Sequence, residues 1–171
     1  MKNGEVCLRS YLVSDDERTV AWLNDPEMKN TFGLTYQIDV SMHRKWLDAQ
    51  CDFLIKAIEV NGQHIGNAIL RLTPRHKSAL LEIYIGEASL RGRGMGFRAL
   101  GLLLKVAFKE LKLHRVKLFT RIDNIAAQKM YEKAGFVLEG CERQAIYQDG
   151  VFVDQNIWGL LFDEWVVSED V

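Results

Sequence analysis

A chain of 171 residues is long enough to bury a sizeable core as one domain, and 48% hydrophobic with 26% charged residues is the balance of an ordinary soluble globular protein. Its formal net charge of −1 gives no general attraction to nucleic acid or to a membrane, so any anion site must be local. No apolar run approaches the roughly 18 residues that span a bilayer, and "MKNGEV" lacks a signal-peptide core, so a cytoplasmic protein is expected. The three cysteines, Cys7, Cys51 and Cys141, are scattered, with no CxxC pair and no metal-type spacing, which predicts buried thiols and no metal site.

In chain order, "VCLRSYL" (Val6 to Leu12) alternates like an edge strand. "SDDERTVAWLND" follows as a helix with acidic residues in its first turn, ending near Pro26. A second helix is expected over Val40 to Gln50, with Trp46 and Leu47 on its apolar face. "FLIKAIEV" and "HIGNAILRL" flank Asn61-Gly62, a hairpin signal because both turn residues tolerate positive φ. A third strand, Ser78 to Gly86, completes a meander. Phe97, Leu100, Leu104, Phe108 and Leu111 then recur at helical spacing. "RVKLFTRI" reads as a buried strand, "NIAAQKMYEKAG" as a helix capped by Asn124 and closed by Gly135, and "FVLEGCERQAIYQDGVFVDQNIWGLL" as two or three strands with an Asp149-Gly150 turn. This order predicts an α/β chain, a mixed sheet with helices on both faces, and a single domain over residues 1–171.

"ASLRGRGMGFRAL" (Ala88 to Leu100) joins the third strand to the clearest helix. The first N–H groups of a helix have no internal partners and sit at the positive end of its dipole, so such a loop can cradle a phosphate. Gly92, Gly94 and Gly96 let the backbone approach closely, and Arg91 and Arg93 add charge that can grip phosphate oxygens. A solvated turn kept soluble by its arginines is the plain alternative. "GMGFRA" also fits the dinucleotide fingerprint through Gly94, Gly96 and Ala99, but "EASLRGR" intervenes after an antiparallel meander where that fingerprint needs an immediate βαβ turn. The Walker pattern fails because no Gly-Lys-Ser/Thr follows the glycines.

Read as Arg91-x-x-Gly94-x-Gly96, the loop resembles the pyrophosphate-binding motif of the GNAT superfamily of acetyl-CoA-dependent N-acetyltransferases. "NIAAQKMYEKAGF" (Asn124 to Phe136) resembles that family's second motif, and the two occur in the right order and at the right separation. The likeness runs from "LRSYLVSDDE" to the closing hairpin. "AWLNDPEM" and "HRKWL" are typical of the branch that holds ribosomal-protein, spermidine and amino-sugar acetyltransferases. The resemblance implies a central twisted, mostly antiparallel mixed sheet, acetyl-CoA as donor with coenzyme A as product, and an amine acceptor. It implies that the strand from Glu82 through Ile83, Tyr84 and Ile85 binds the pantetheine, and that Arg91, Gly92, Arg93, Gly94, Met95 and Gly96 hold the pyrophosphate. It also places Asn124 on the cofactor and Tyr131 beside its sulfur.

A phenol of pKa about 10 keeps its proton at neutral pH, so Tyr131 is the candidate general acid for a departing thiolate of pKa about 8.5. Packing against the sheet is its bland role. Asn124 can serve as helix cap, ligand or both, and Lys129 as phosphate contact or solvated lysine. Glu82 shares a strand face with Tyr84 and is the candidate base, directly or through water; a structural salt bridge explains it equally well. His64 is a structural histidine or a base, and His43 and His114 rank lower. The acceptor pocket is expected from the N-terminal helices, with Trp22, Asn24, Phe32, Tyr36 and Trp46 as candidates, Trp22 and Trp46 being explained as readily by helix packing. The expected acceptor is a small-molecule amine, with a nucleotide-linked amino sugar ahead of a polyamine and a protein N-terminal amine as runner-up. A non-catalytic acyl-CoA sensor is the rival from another class. No nucleic-acid or membrane partner is expected, and a homodimer stays open.

Overall fold

The computed structural model describes residues 4–169. Seven strands form one sheet in the order β1-β2-β3-β4-β5-β7-β6, where β1 is Val6–Ser10, β2 Phe53–Val60, β3 Gln63–Thr73, β4 Ser78–Ile85, β5 Arg115–Arg121, β6 Val137–Gln148 and β7 Val151–Leu161. All neighbours pair antiparallel except β4 and β5. The Asn61-Gly62 and Asp149-Gly150 turns adopt the expected positive φ, 50° and 78° in the first and 50° and 83° in the second.

The helices divide between the two faces. α4 (Met95–Lys105, prolonged by a π turn over Val106–Glu110) and α5 (Ile125–Lys133) bury Ala99, Leu100, Leu103, Leu104 and Tyr131 against Ala68, Leu70, Leu81 and Leu118 of the sheet. α1 (Asp16–Leu23), α2 (Pro26–Phe32) and α3 (Val40–Asp48) cover the other face over β3 and β4, where Thr19 meets Asn67. A closing helix, α6 (Phe162–Glu169), packs Trp165 on Phe108 with ring centroids 5.2 Å apart.

The sequence reading missed two helices and misplaced the cysteines. α1 ends at Leu23, near Pro26 as expected, but a further helix, α2, starts at Pro26, because Asp25 accepts from the N–H groups of Glu27 and Met28 and proline at the first position gives up no hydrogen bond. α6 lies beyond the last expected strand, where no element was expected. The cysteines are all exposed: Cys7 lies on the outward face of an edge strand, Cys51 in a loop and Cys141 on the last strand.

The parallel contact between β4 and β5 is short. Only Ser78↔Arg115, Ala79↔Val116 and Leu80↔Lys117 are in register, although β4 runs on to Ile85 and β5 to Arg121. The two strands part beyond Leu80, leaving a wedge in the middle of the sheet.

Candidate active site

Strand alternation decides which backbone groups face the wedge. Lys77 O accepts from the N–H groups of His114 and Arg115, at 2.7 and 3.3 Å, on the β5 side, whereas the Gly86 N–H donates to Ile65 O at 2.8 Å on the β3 side. Odd-numbered residues of β4 therefore present their backbone to β5 and even-numbered ones to β3. Ile83 and Ile85, past the last paired residue, turn N–H groups into the wedge.

At its mouth stands the N-terminus of α4. Gly94 is the N-cap at φ 77°, no side chain caps it, and the first backbone bond of the helix is from Arg98 N to Gly94 O. The N–H groups of Met95, Gly96 and Phe97 thus lie ahead of that bond. A Cβ built on Gly96 would stand 3.6 Å from Met130 Sδ and 3.8 Å from Ile85 Cγ1, so strand end, helix start and α5 converge on one point. Gly92 and Gly94, both at positive φ, have open space where a Cβ would be. Arg93 is exposed, but the Arg91 guanidinium is turned back: Nε donates to Ile85 O at 2.9 Å, Nη2 to Gly86 O at 2.9 Å, and Nη1 pairs with Glu27 at 2.6 Å. Arg91 fastens the loop to the end of β4.

On α5, the Asn124 side chain accepts from the Ala127 N–H at 3.2 Å, which makes it the cap of that helix, and Lys129 is exposed. Tyr131 is buried at 6% exposure beside Phe136, and burial pushes its phenol pKa up. It stays protonated at neutral pH.

On the opposite face of β4 lies a cavity of about 320 Å³ whose lining includes Phe32, Tyr36, Trp46, Glu82 and Tyr84. Of the five residues expected at the acceptor pocket, Phe32, Tyr36 and Trp46 are in this wall, and Trp22 and Asn24 are not. Trp22 is buried with its ring 4.8 Å from His64 and against the Cα of Gly86. Asn24 clamps the backbone of Ile38, donating to its O at 2.7 Å and accepting from its N at 2.9 Å, and so fixes the loop that carries Tyr36. Glu82 pairs with Arg71 at 3.2 Å. The guanidinium of Arg71 also lies over the rings of Trp46 and Phe53, each 5.3 Å away, and donates to Gln50 at 3.0 Å.

Two wall or support residues escaped the sequence reading. Arg71 and Asn67 share the face of Glu82 and Tyr84, and the hairpin register alone would have placed them there, since Ile69 pairs with Glu82 and Asn67 with Tyr84. His43, on α3, is 4% exposed and touches the Tyr11 hydroxyl at 3.1 Å; burial pushes its pKa down, which keeps it neutral. His64, the other histidine considered as a base, lies behind the cavity wall and is buried and bonded to Asn67. Among the described residues no cluster of three or more His, Cys, Asp or Glu is placed to hold a metal, and no helix is long and apolar enough to cross a membrane.

The fold has counterparts in known proteins. Residues 5–137 match the profile of the family described as the acetyltransferase (GNAT) domain. This chain belongs to the GNAT acetyltransferase family. Its enzyme class is acetyl-CoA-dependent N-acetyltransferase. It is 25% identical over 147 residues to the ribosomal-protein-serine acetyltransferase of Escherichia coli, covering 86% of this chain and 79% of that protein. It is 33% identical over 88 residues to YjcK of Bacillus subtilis, covering 50% of this chain, and it spans about half (49%) of that relative's length. In fold it superposes on a spermidine N-acetyltransferase from Vibrio cholerae, crystallised with CoA and spermine, with a TM-score of 0.88 at 20% identity, covering 94% of this chain and 98% of the other.

Proposed function

We propose that this chain transfers the acetyl group of acetyl-CoA directly to a primary amine held in the cavity beside Glu82, without a covalent enzyme intermediate. The observation that carries this reading is the wedge itself: unpaired backbone of β4, the uncapped start of α4 and α5 meet there, and the cavity opens on the other face of the same strand.

Bound acetyl-CoA supplies the activated acetyl thioester. The N–H groups of Met95, Gly96 and Phe97, with the charge of Arg93, are suited to its pyrophosphate, and no side chain competes for them. The edge of β4 at Ile83 is suited to hydrogen-bond the pantetheine as an added strand would. The Ile85 N–H is placed to polarise the acetyl carbonyl. Glu82 receives the amine on the cavity side and takes its proton directly or through water, with Arg71 holding the carboxylate in place. Tyr131 lies on the opposite side, where the sulfur departs. Its phenol is already a weaker acid than the thiol it would protonate and burial weakens it further, so its contribution is a hydrogen bond to the developing thiolate rather than a downhill proton transfer. Arg91 acts through the loop, and Asn124 through the position of α5.

Aromatic walls suit a sugar or base face, in keeping with a nucleotide-linked amino sugar. A protein N-terminal amine is the second reading, favoured by the likeness to the Escherichia coli enzyme. The test is amine-dependent release of free thiol from acetyl-CoA over a panel of amino sugars, peptides and polyamines. Turnover of at least one supports the assignment, whereas acetyl-CoA binding with no turnover on any amine supports a sensor.

A further inference from the structure

Tyr84 stands in the wall of the cavity, and the buried atoms behind it fix the direction of its hydroxyl. His64 Nε2 lies 3.0 Å from Gly66 O and 2.8 Å from Asn67 Oδ1. A backbone carbonyl only accepts, so Nε2 carries a proton whatever the state of Nδ1. That N–H faces the amide oxygen of Asn67 and turns the amide nitrogen the other way, where it donates to Thr19 Oγ1 at 2.9 Å and to Tyr84 Oη at 2.7 Å. Both amide protons are then in use, and the Tyr84 oxygen is an acceptor on its buried side.

The phenol's own proton must go elsewhere: the other group beside the hydroxyl is Thr19, whose oxygen already accepts from Asn67. The open direction is the cavity. The relay cannot easily reverse, since Asn67 is 0% and His64 5% exposed, and an amide or imidazole flipped there would set donor against donor without water to repair it. His64 Nδ1 lies 3.3 Å from Asp15 Oδ1, out of line for a hydrogen bond, and Asp15 is itself held by Arg9 and by the Leu12 N–H. Burial keeps the Tyr84 phenol protonated.

We infer that Tyr84, aimed by the buried His64–Asn67 pair, is a specificity-determining residue whose hydroxyl donates to an oxygen that the acceptor carries beside its amine. The inference rests on the reading of the cavity as the acceptor site. It selects amino amides, peptide N-termini and amino sugars over polyamines, because the nitrogens of a polyamine are ammonium groups at neutral pH and offer protons only. This chain therefore differs in acceptor class from the spermidine enzyme that it resembles in fold.

Two probes with the same ring and chain test it: L-phenylalaninamide, which carries a carbonyl, and phenethylamine, which does not, with spermidine as a third. Each is measured by thiol release from acetyl-CoA and by calorimetric binding to the CoA-loaded protein, in wild type and in Tyr84→Phe. The wild-type to variant ratio for each probe cancels the difference in amine basicity. Tyr84→Phe is expected to raise KM or Kd for phenylalaninamide about tenfold while leaving phenethylamine, spermidine and acetyl-CoA within twofold. Asn67→Asp, which offers Tyr84 an acceptor on the buried side, should give the same pattern.

Equal effects on the amide and the alkylamine overturn the inference, as does preference for spermidine or binding of none of the probes. Binding of the amide with the expected variant effect but no turnover upholds the inference and overturns the catalytic reading. A 15N spectrum of His64 reads the relay without any acceptor: a protonated Nε2 is expected, and a bare Nε2 with a protonated Nδ1 overturns it even if the variants fail to fold.

Discussion

The two ends of the proposed site are built from different materials. The donor end is backbone: N–H groups at the start of α4, the unpaired edge of β4 and a loop tied to that edge by Arg91. The acceptor end is side chain: aromatic rings and a Glu82–Arg71 pair brought from helices and strands far apart in sequence. A backbone site depends on conformation and tolerates change at most positions other than its glycines. A side-chain site changes with every residue in its wall. The first can be shared across a family while the second diverges.

The largest expected effect breaks the donor end. Gly94→Asp puts a side chain at φ 77° and a negative charge at the helix start, and acetyl-CoA affinity should fall on the order of 100-fold, read by calorimetry, with the fold unchanged by circular dichroism. Next, Tyr131→Phe should lower kcat about 100-fold with acetyl-CoA Kd within twofold; an unchanged kcat removes Tyr131 from the chemistry. Glu82→Gln sharpens the division, because it should lower kcat/KM for the amine about 10-fold or more while leaving cofactor binding intact. If acetyl-CoA binding falls instead, Glu82 belongs to the donor end. Asn24→Ala releases the loop at Ile38 and should raise acceptor KM severalfold with kcat nearly constant.

The smallest effect concerns the support of the acceptor wall. Burial acts to raise the pKa of Asp15, but hydrogen bonds from Arg9 and the Leu12 N–H outweigh it and hold the carboxyl below its usual range. The folded state thus binds this proton less readily than the unfolded chain. Its stabilising contribution is full above the unfolded pKa of about 3.9 and is lost as pH falls through the lower folded value. Denaturant unfolding of Asp15→Asn should show lower stability at neutral pH and a shallower loss on acidification than wild type.

The same division explains what could be read from sequence. The proposed donor end was legible because its parts are local: Gly94 and Gly96 stand two residues apart in the chain, Asn124 caps the helix it begins, and Asn61-Gly62 sets the hairpin that leads to β4. The parting of β4 from β5 was not, because it follows from how far two strands distant in sequence stay in register. Arg91 was misjudged for the same reason, since its partner Glu27 lies 64 residues away. At the acceptor end, Tyr36 was reachable through its aromatic character. Trp22 shares that character but packs beside Gly86, and no periodicity separates the two. Asn67 left one signal, an amide within the otherwise apolar stretch Ile65 to Leu70, which burial makes functional or structural by necessity.

Backbone amide shift mapping tests the division most directly. Acetyl-CoA titrated into 15N-labelled protein is expected to move the amide resonances of Met95, Gly96, Phe97, Ile83 and Ile85 most, and those of Trp46 and Tyr36 little. Shifts concentrated in the aromatic cavity, or none at the start of α4, would contradict a donor site built from backbone.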